Sequence, residues 1–248
     1  MMYKKRTLLP ISLVLALGLS GCASNVEETE VQITAPERMY QTAQKSLDLG
    51  NILKATRVLE ALESRYPFGP QATQVQLDLI YAYYRAGNND QALASIDRFL
   101  RLNPTHPDID YVYYMRGLSN MQSDQNMFHE MLEIDRSDRD PQFATQAFND
   151  FKQLLISKPN SLYAADAKQR MTALKNRLAK HHLAIANYYF ERKIYVAAIN
   201  RSKQILESFT DTGSTKNALE IMKASYIALK QDDLATKTDL ILKQNFAK

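Results

Sequence analysis

The sequence predicts an all-α fold, an α-solenoid of about five helix-turn-helix repeats. Three observations point there. Glycine is scarce, at 7 of 248 residues, and Gly18, Gly21 and Gly50 already account for 3 of them. Scarce glycine beside abundant Ala, Leu, Gln and Lys favours helices, because those side chains lose little rotamer freedom on a helix. The body of the chain also repeats itself in a fixed register. Prolines close the repeated units, at positions where a residue without an N–H ends a helix. Apolar residues make up 45% of the chain, which provides for a sizeable core.

The N-terminus is organised differently. Lys4-Lys5-Arg6 is a basic start, and Leu8 to Leu19 is an apolar run of about 12 residues interrupted by Pro10. A membrane-spanning helix needs roughly 20, so residues 1–21 read as a cleaved signal peptide. Leu19-Ser20-Gly21-Cys22 resembles the bacterial lipobox. That resemblance implies cleavage before Cys22, an S-diacylglycerol on its sulfur and an N-acyl chain on the freed amine. Several acyl chains give stable anchoring, at about 0.8 kcal/mol per buried methylene. Cys22 is the sole cysteine, which excludes an internal disulfide. Ala23 follows it, and the absence of Asp there implies the outer membrane of a Gram-negative cell, on its periplasmic face. Residues 22–36 read as a lipidated flexible tether. They lack a helical period and carry Glu27, Glu28 and Glu30.

The formal charge of +4 includes Lys4, Lys5 and Arg6; without them 28 basic residues face 27 acidic ones. A near-neutral mature chain gives no electrostatic reason to expect nucleic acid as a partner.

The repeats start at Ala43. Steps of 7, 12, 16, 19 and 24 residues reach Gly50, Ala55, Leu59, Leu62 and Pro67, and the same steps from Ile80 reach Gly87, Ala92, Ile96, Phe99 and Pro104. Each unit reads as a helix, a Gly-centred turn, a second helix and a closing Pro. In a third unit Ala147, Phe151, Leu154 and Pro159 keep the second-helix spacing, after a first helix around Gly117 and about 18 extra residues, Asp124 to Pro141. Asp140-Pro141 suits a helix start. A fourth unit runs Ala186, Lys193, Ala198, Ser202, Ile205, Thr210, without the Gly and the Pro. Its first helix is capped at Asn160-Ser161 and extends toward Glu191. A degenerate fifth unit spans about Thr215 to Phe246, as expected of a terminal repeat. The pattern resembles the tetratricopeptide repeat.

Motifs for catalysis are missing. The sequence has no glycine-rich phosphate loop, no Gly-x-Ser-x-Gly elbow and no His-Glu-x-x-His. His129 and Glu133 stand one helical turn apart, but two ligands without a third make a weak metal site. No enzyme activity, metal or cofactor is expected. Tyr is abundant, at 14 residues, and concentrates on first helices. In repeats of this type those helices line a concave groove. Counting from the turn glycines puts Tyr40, Leu77, Tyr81, Tyr84 and Arg85 on that face, and counting from Gly117 puts Tyr111, Tyr114 and Leu118 there. A tyrosine offers an apolar ring with a polar tip, suited to peptides, and Arg85 suits a carboxylate. Packing between repeats is the competing role, for Tyr81, Tyr84, Tyr113 and Tyr114 in particular.

Longer stretches carry a family resemblance. Arg65-Tyr66-Pro67-Phe68-Gly69-Pro70, Gln76 to Tyr84, Asp97 to Pro107, Tyr114-Met115-Arg116-Gly117, Asp135 to Gln142 and Lys175 to Lys180 closely resemble the BamD family, lipoproteins of the outer-membrane β-barrel assembly machinery. The resemblance covers roughly residues 35 to 212. It implies docking on the periplasmic domains of the barrel-forming subunit, on other lipoproteins of the machinery, and on unfolded outer-membrane proteins with their aromatic-ended C-terminal signal. It implies a client-binding half over 37–160 and a partner-docking half over 161–248, with Asn200 and Arg201 contacting the barrel subunit. Lys193 departs from the family's usual Gly, and the C-terminal tail diverges. Two competing functions are a pilotin-like repeat lipoprotein and a cell-wall enzyme. The charged insertion argues against the first, and the lack of an acid/base pair in the groove against the second.

Overall fold

The computed structural model describes residues 35–124 and 140–246. Cys22, the signal peptide, the tether before residue 35, His129, Glu133 and most of the charged insertion lie outside the described residues. Among the described residues the chain forms helices only: α1 (Pro36–Asp48), α2 (Ile52–Arg65), α3 (Ala72–Arg85), α4 (Asn89–Leu102), α5 (Ile109–Ser123), α6 (Gln142–Ser157), α7 (Ala164–Glu191), α8 (Tyr195–Ser208), α9 (Thr215–Ala228) and α10 (Asp232–Phe246). Each helix packs on the next. The first helices of neighbouring hairpins also touch, α3 on α5 and α7 on α9, which stacks the hairpins into a solenoid. No described helix is long and apolar enough to cross a membrane.

Four of the five hairpins turn in the same way. The first helix ends in a left-handed residue: Gly50 at φ 71°, Gly87 at φ 76°, Lys193 at φ 62° and Lys230 at φ 58°. The residue after each donates its N–H back across the turn: Asn51 to Ser46 O, Asn88 to Tyr83 O, Ile194 to Tyr189 O and Gln231 to Tyr226 O, all at 2.8–2.9 Å. These are Schellman closures, which satisfy carbonyls the helix end would leave orphaned. Lys193 and Lys230 thus perform the glycine's task in spite of their Cβ. In the first hairpin Asn51 Oδ1 also accepts from the Lys54 N–H at 3.2 Å, capping α2.

The second helices end alike. Tyr66, Asn103 and Lys158 leave the helix at φ near −130° to −141°, and each precedes a proline that disfavours helical backbone. Phe209 does the same at φ −137° before Thr210, without a proline. The third hairpin opens into the insertion instead of a tight turn. Past it, Asp140 Oδ1 accepts from the Gln142 N–H at 3.0 Å and starts α6.

The core follows the repeat register. Ala55, Ala92, Ala147 and Ala198 are fully buried, and so are Leu59, Ile96, Phe151 and Ser202 four residues further on. The fifth hairpin keeps the spacing, since Ala235 follows Lys230 as Ala55 follows Gly50 and is also buried. Gly117 sits inside α5, at the position of Ala43 and Ile80 in their units. The ring of Phe151 occupies the room that a side chain would need there.

Helix α7 is 28 residues long, twice the usual repeat helix. Its first half covers α6 and its second half packs on α8, and one apolar cluster runs through it from Leu77 to Ala218. At its middle Arg177 donates from Nη2 to Asp124 Oδ1 at 3.0 Å, an ion pair buried at the entrance of the insertion. Burial also pulls the Arg177 pKa below its ordinary value.

Candidate functional site

The first helices bring a band of tyrosines together. On α1, Tyr40 is hydrogen-bonded to Asp78 of α3. Gln44 Nε2 donates to the other side of the same carboxylate, and Gln74 Nε2 donates to Oδ1 at 3.0 Å. Burial, then the Asp78 charge, push the Tyr40 phenol up to about 12. Burial also raises Asp78 above the usual carboxylate range, against the pull of the three hydrogen bonds it accepts. Two turns further along α3, Arg85 Nη1 donates to the Tyr81 hydroxyl at 2.6 Å, with its guanidinium 5.6 Å from the ring centre.

The band continues across α5. Tyr111 is raised above its usual value first by burial, then by the nearby charge of Asp78 and by Tyr163 and Tyr81. Its ring lies 5.9 Å from that of Tyr163, at the start of α7. Tyr163 in turn stacks on Tyr114, with centroids 4.6 Å apart and planes at 19°. The Tyr114 hydroxyl donates to Asp166 Oδ2 at 2.7 Å, and Arg170 donates to the same oxygen. Burial opposes ionisation of Asp166, but Arg170 and Tyr114 hold its carboxyl below the ordinary range. Local capping positions Tyr163: Ser161 Oγ accepts its N–H at 3.1 Å. The result is a strip of rings over α1, α3, α5 and α7, with carboxylates at Asp78 and Asp166 and exposed Arg85 beside Tyr81.

Two residues expected on that face lie elsewhere. Leu77 and Leu118 are buried in the core with Phe99 and Phe151. A first helix here meets its own second helix and also the next first helix, so its apolar arc is wider than a count from the turn allows. Tyr84 is half-buried against that core. Tyr83 and Tyr113, neither expected on that face, make their contacts outside the band. The Tyr83 hydroxyl donates to Glu60 at 2.9 Å, and Tyr113 lies under Arg116, which bridges Asp97 and Asp150.

Asn200 and Arg201 share a second surface, on α8. They line a shallow basin with Tyr189, Lys203, Gln204 and Glu207. Arg201 Nη1 donates to Gln204 Oε1 at 3.0 Å, while Asn200 is exposed. Beneath, His182 stacks on Phe209 at 5.6 Å. Burial, His181 and Arg201 all push its pKa down.

Residues 33–240 match the family YfiO, described as an outer membrane lipoprotein. A protein of Vibrio cholerae named outer membrane protein assembly factor BamD is 47% identical over 95% of this chain and 97% of its own. The protein of that name from Neisseria gonorrhoeae is 41% identical over 98% of this chain and 92% of its own. The chain belongs to the BamD family. The match to BamD proteins includes the segments quoted above and runs on through α9 to the middle of α10, beyond the stretch where the sequence alone carried the resemblance.

Sequence reasoning missed four members of the band: Asp78, Tyr163, Asp166 and Arg170. The Asp166 and Arg170 spacing of four on one helix was a readable signal. Tyr163 precedes its helix, so no helical count includes it.

Proposed function

We propose that the chain is a non-catalytic adaptor in the assembly of outer-membrane β-barrel proteins, attached to the periplasmic face of the outer membrane by S-diacylglycerol and N-acyl groups on Cys22. The tyrosine band is the observation that carries this reading. Rigid rings with polar tips take extended polypeptide at low entropic cost, and Arg85 beside Tyr81 suits a terminal carboxylate. The ligand that fits is the aromatic-ended C-terminus of an unfolded outer-membrane protein. Tyr40, Tyr81, Tyr84, Tyr111 and Tyr114 with Arg85 form its subsites, within residues 37–160. The relatives' name, outer membrane protein assembly factor, supports the assembly role. Residues 161–248 form the docking half. There Asn200 and Arg201 contact the periplasmic domains of the barrel-forming subunit, and other lipoproteins of the machinery join nearby.

A labelled peptide from the C-terminus of an outer-membrane β-barrel protein, followed by fluorescence anisotropy, tests the client site. Replacing Tyr84 and Arg85 together by Ala is expected to weaken binding by about tenfold or more, the scale of losing interface anchors. Unaltered affinity would assign both side chains to packing.

A further inference from the structure

The loops between hairpins carry a composition that the client band does not use. Successive helices alternate in direction, so the loops from α2 to α3, α4 to α5 and α6 to α7 share one edge with the start of α1. Contacts bear this out: Arg98 near the end of α4 pairs with Glu63 near the end of α2. Tyr111 at the start of α5 likewise meets Tyr163 at the start of α7. At each of these three junctions a large apolar side chain, in the loop or at the end of the helix before it, faces solvent, whereas the α8 to α9 loop on the same edge buries Phe209. Phe68 is 98% exposed, Leu102 65%, and Leu162 95% with Ile156 at 66%. Each is preceded by an exposed base at the helix end: Arg65, Arg101 and Lys158. Acidic residues also stand along this edge: Glu37 at the start of α1, Glu63 near the end of α2, Asp108 and Asp110 at the second loop, and Asp166 at the start of α7. Pro67, Pro70, Pro104, Pro107 and Pro159 restrict the backbone of these loops.

Single exposed apolar residues are ordinary. What distinguishes this edge is that the tether enters α1 there. Only 13 residues, Ala23 to Ala35, separate Cys22 from Pro36; fully extended they reach roughly 45 Å. We propose that this edge rests on the lipid surface, with Phe68 and Leu162 among the headgroups and Arg65, Arg101 and Lys158 facing lipid phosphates. Apolar tips alternating with bases are what an interfacial surface requires. The inference rests on Cys22 being the lipid-bearing residue. The opposite edge exposes Leu49, Leu53 and Val196 but receives no anchor. It lies about 20 Å away along helices of this length.

The chain has no tryptophan and one cysteine, which makes the test direct. The mature chain, Cys22 to Lys248, is coupled through the Cys22 thiol to a maleimide lipid in vesicles of phosphatidylcholine and phosphatidylglycerol containing brominated acyl chains. Chemical coupling makes the result independent of natural acylation, which the mass of the chain isolated from envelopes reports separately. Phe68→Trp and Leu162→Trp are expected to lose several-fold more emission to the brominated lipid than Leu49→Trp does. In the Leu162→Trp chain, adding Phe68→Asp should reduce the quenching. Equal quenching at the two edges, or stronger quenching at Leu49→Trp, overturns the proposal. So does an unquenched Phe68→Trp in a chain whose copies cross-link to each other through this edge.

Discussion

Gly117 of α5 lies under the ring of Phe151 of α6, so close that a Cβ on Gly117 would stand 2.5 Å from Phe151 Cε1. The two positions recur as a pair in every hairpin: Ala43 with Leu59, Ile80 with Ile96, Ala186 with Ser202. In the last hairpin the pair is Lys223 with Asp239, joined by a 2.6 Å salt bridge. The third hairpin gives all the space to one partner.

Gly117→Ala is therefore expected to destabilise the protein by about 1–3 kcal/mol through overpacking, even though Ala is intrinsically about 1 kcal/mol better than Gly inside a helix. Urea denaturation measures the loss. Adding Phe151→Leu should recover part of it, because the two residues share one volume.

Lys193 and Lys230 hold the left-handed position that Gly50 and Gly87 hold in the first two hairpins. A left-handed L-residue costs about 1–2 kcal/mol, while Gly also loses more entropy on folding. Lys193→Gly and Lys230→Gly should each stabilise by about 0.5–1 kcal/mol, and Gly50→Ala or Gly87→Ala should destabilise by a similar amount. Denaturation midpoints decide the sign.

Arg177 and Asp124 are both buried. Arg177→Met leaves the Asp124 charge in the interior and is expected to cost about 3–5 kcal/mol. Asp124→Asn in the same chain should return part of that. Equal stability of the single and double variants would mean that the carboxylate finds solvent.

Asp78 has its carboxyl raised by burial. Its ionised form is thus disfavoured in the folded state, and the cost is fully present above the folded pKa. As pH falls from neutral toward the ordinary value near 3.8, wild type should gain stability relative to Asp78→Asn. Parallel denaturation series of the two chains give this difference, and a difference independent of pH would contradict the assignment.

Arg201→Glu reverses a charge on the α8 basin while Ser202 and Ile205 keep the core closed. The substitution is expected to weaken capture of the barrel-forming subunit at least tenfold, with unchanged thermal unfolding. Undiminished pull-down would remove Arg201 from that contact.

Much of this architecture was readable because a few residue types carry it. Gly50 and Gly87 mark turns that need a left-handed residue, and Pro67, Pro104 and Pro159 stand two residues past helix ends. Ala55, Ala92, Ala147 and Ala198 give the register. Spacing alone placed Lys193 at the fourth turn, while the fifth stayed hidden, where Lys230 replaces glycine under the same backbone geometry. The core role of Leu77 and Leu118 was hidden for another reason: contacts between first helices of successive hairpins decide which face is covered. Asp78 was invisible as a hub, since its donors Tyr40, Gln44 and Gln74 come from two helices.

Helix α7 supplies the lid of the third hairpin and the floor of the fourth. A cut at Pro159 would strip the cover from Phe151 and Leu154 on one side and bare Ala167 and Leu174 of the same cluster on the other. Neither fragment would then keep a dry interior, so the two stretches should melt together rather than in sequence. A shared strut of this kind sets the smallest piece of the protein that can be made and studied at the whole run of hairpins.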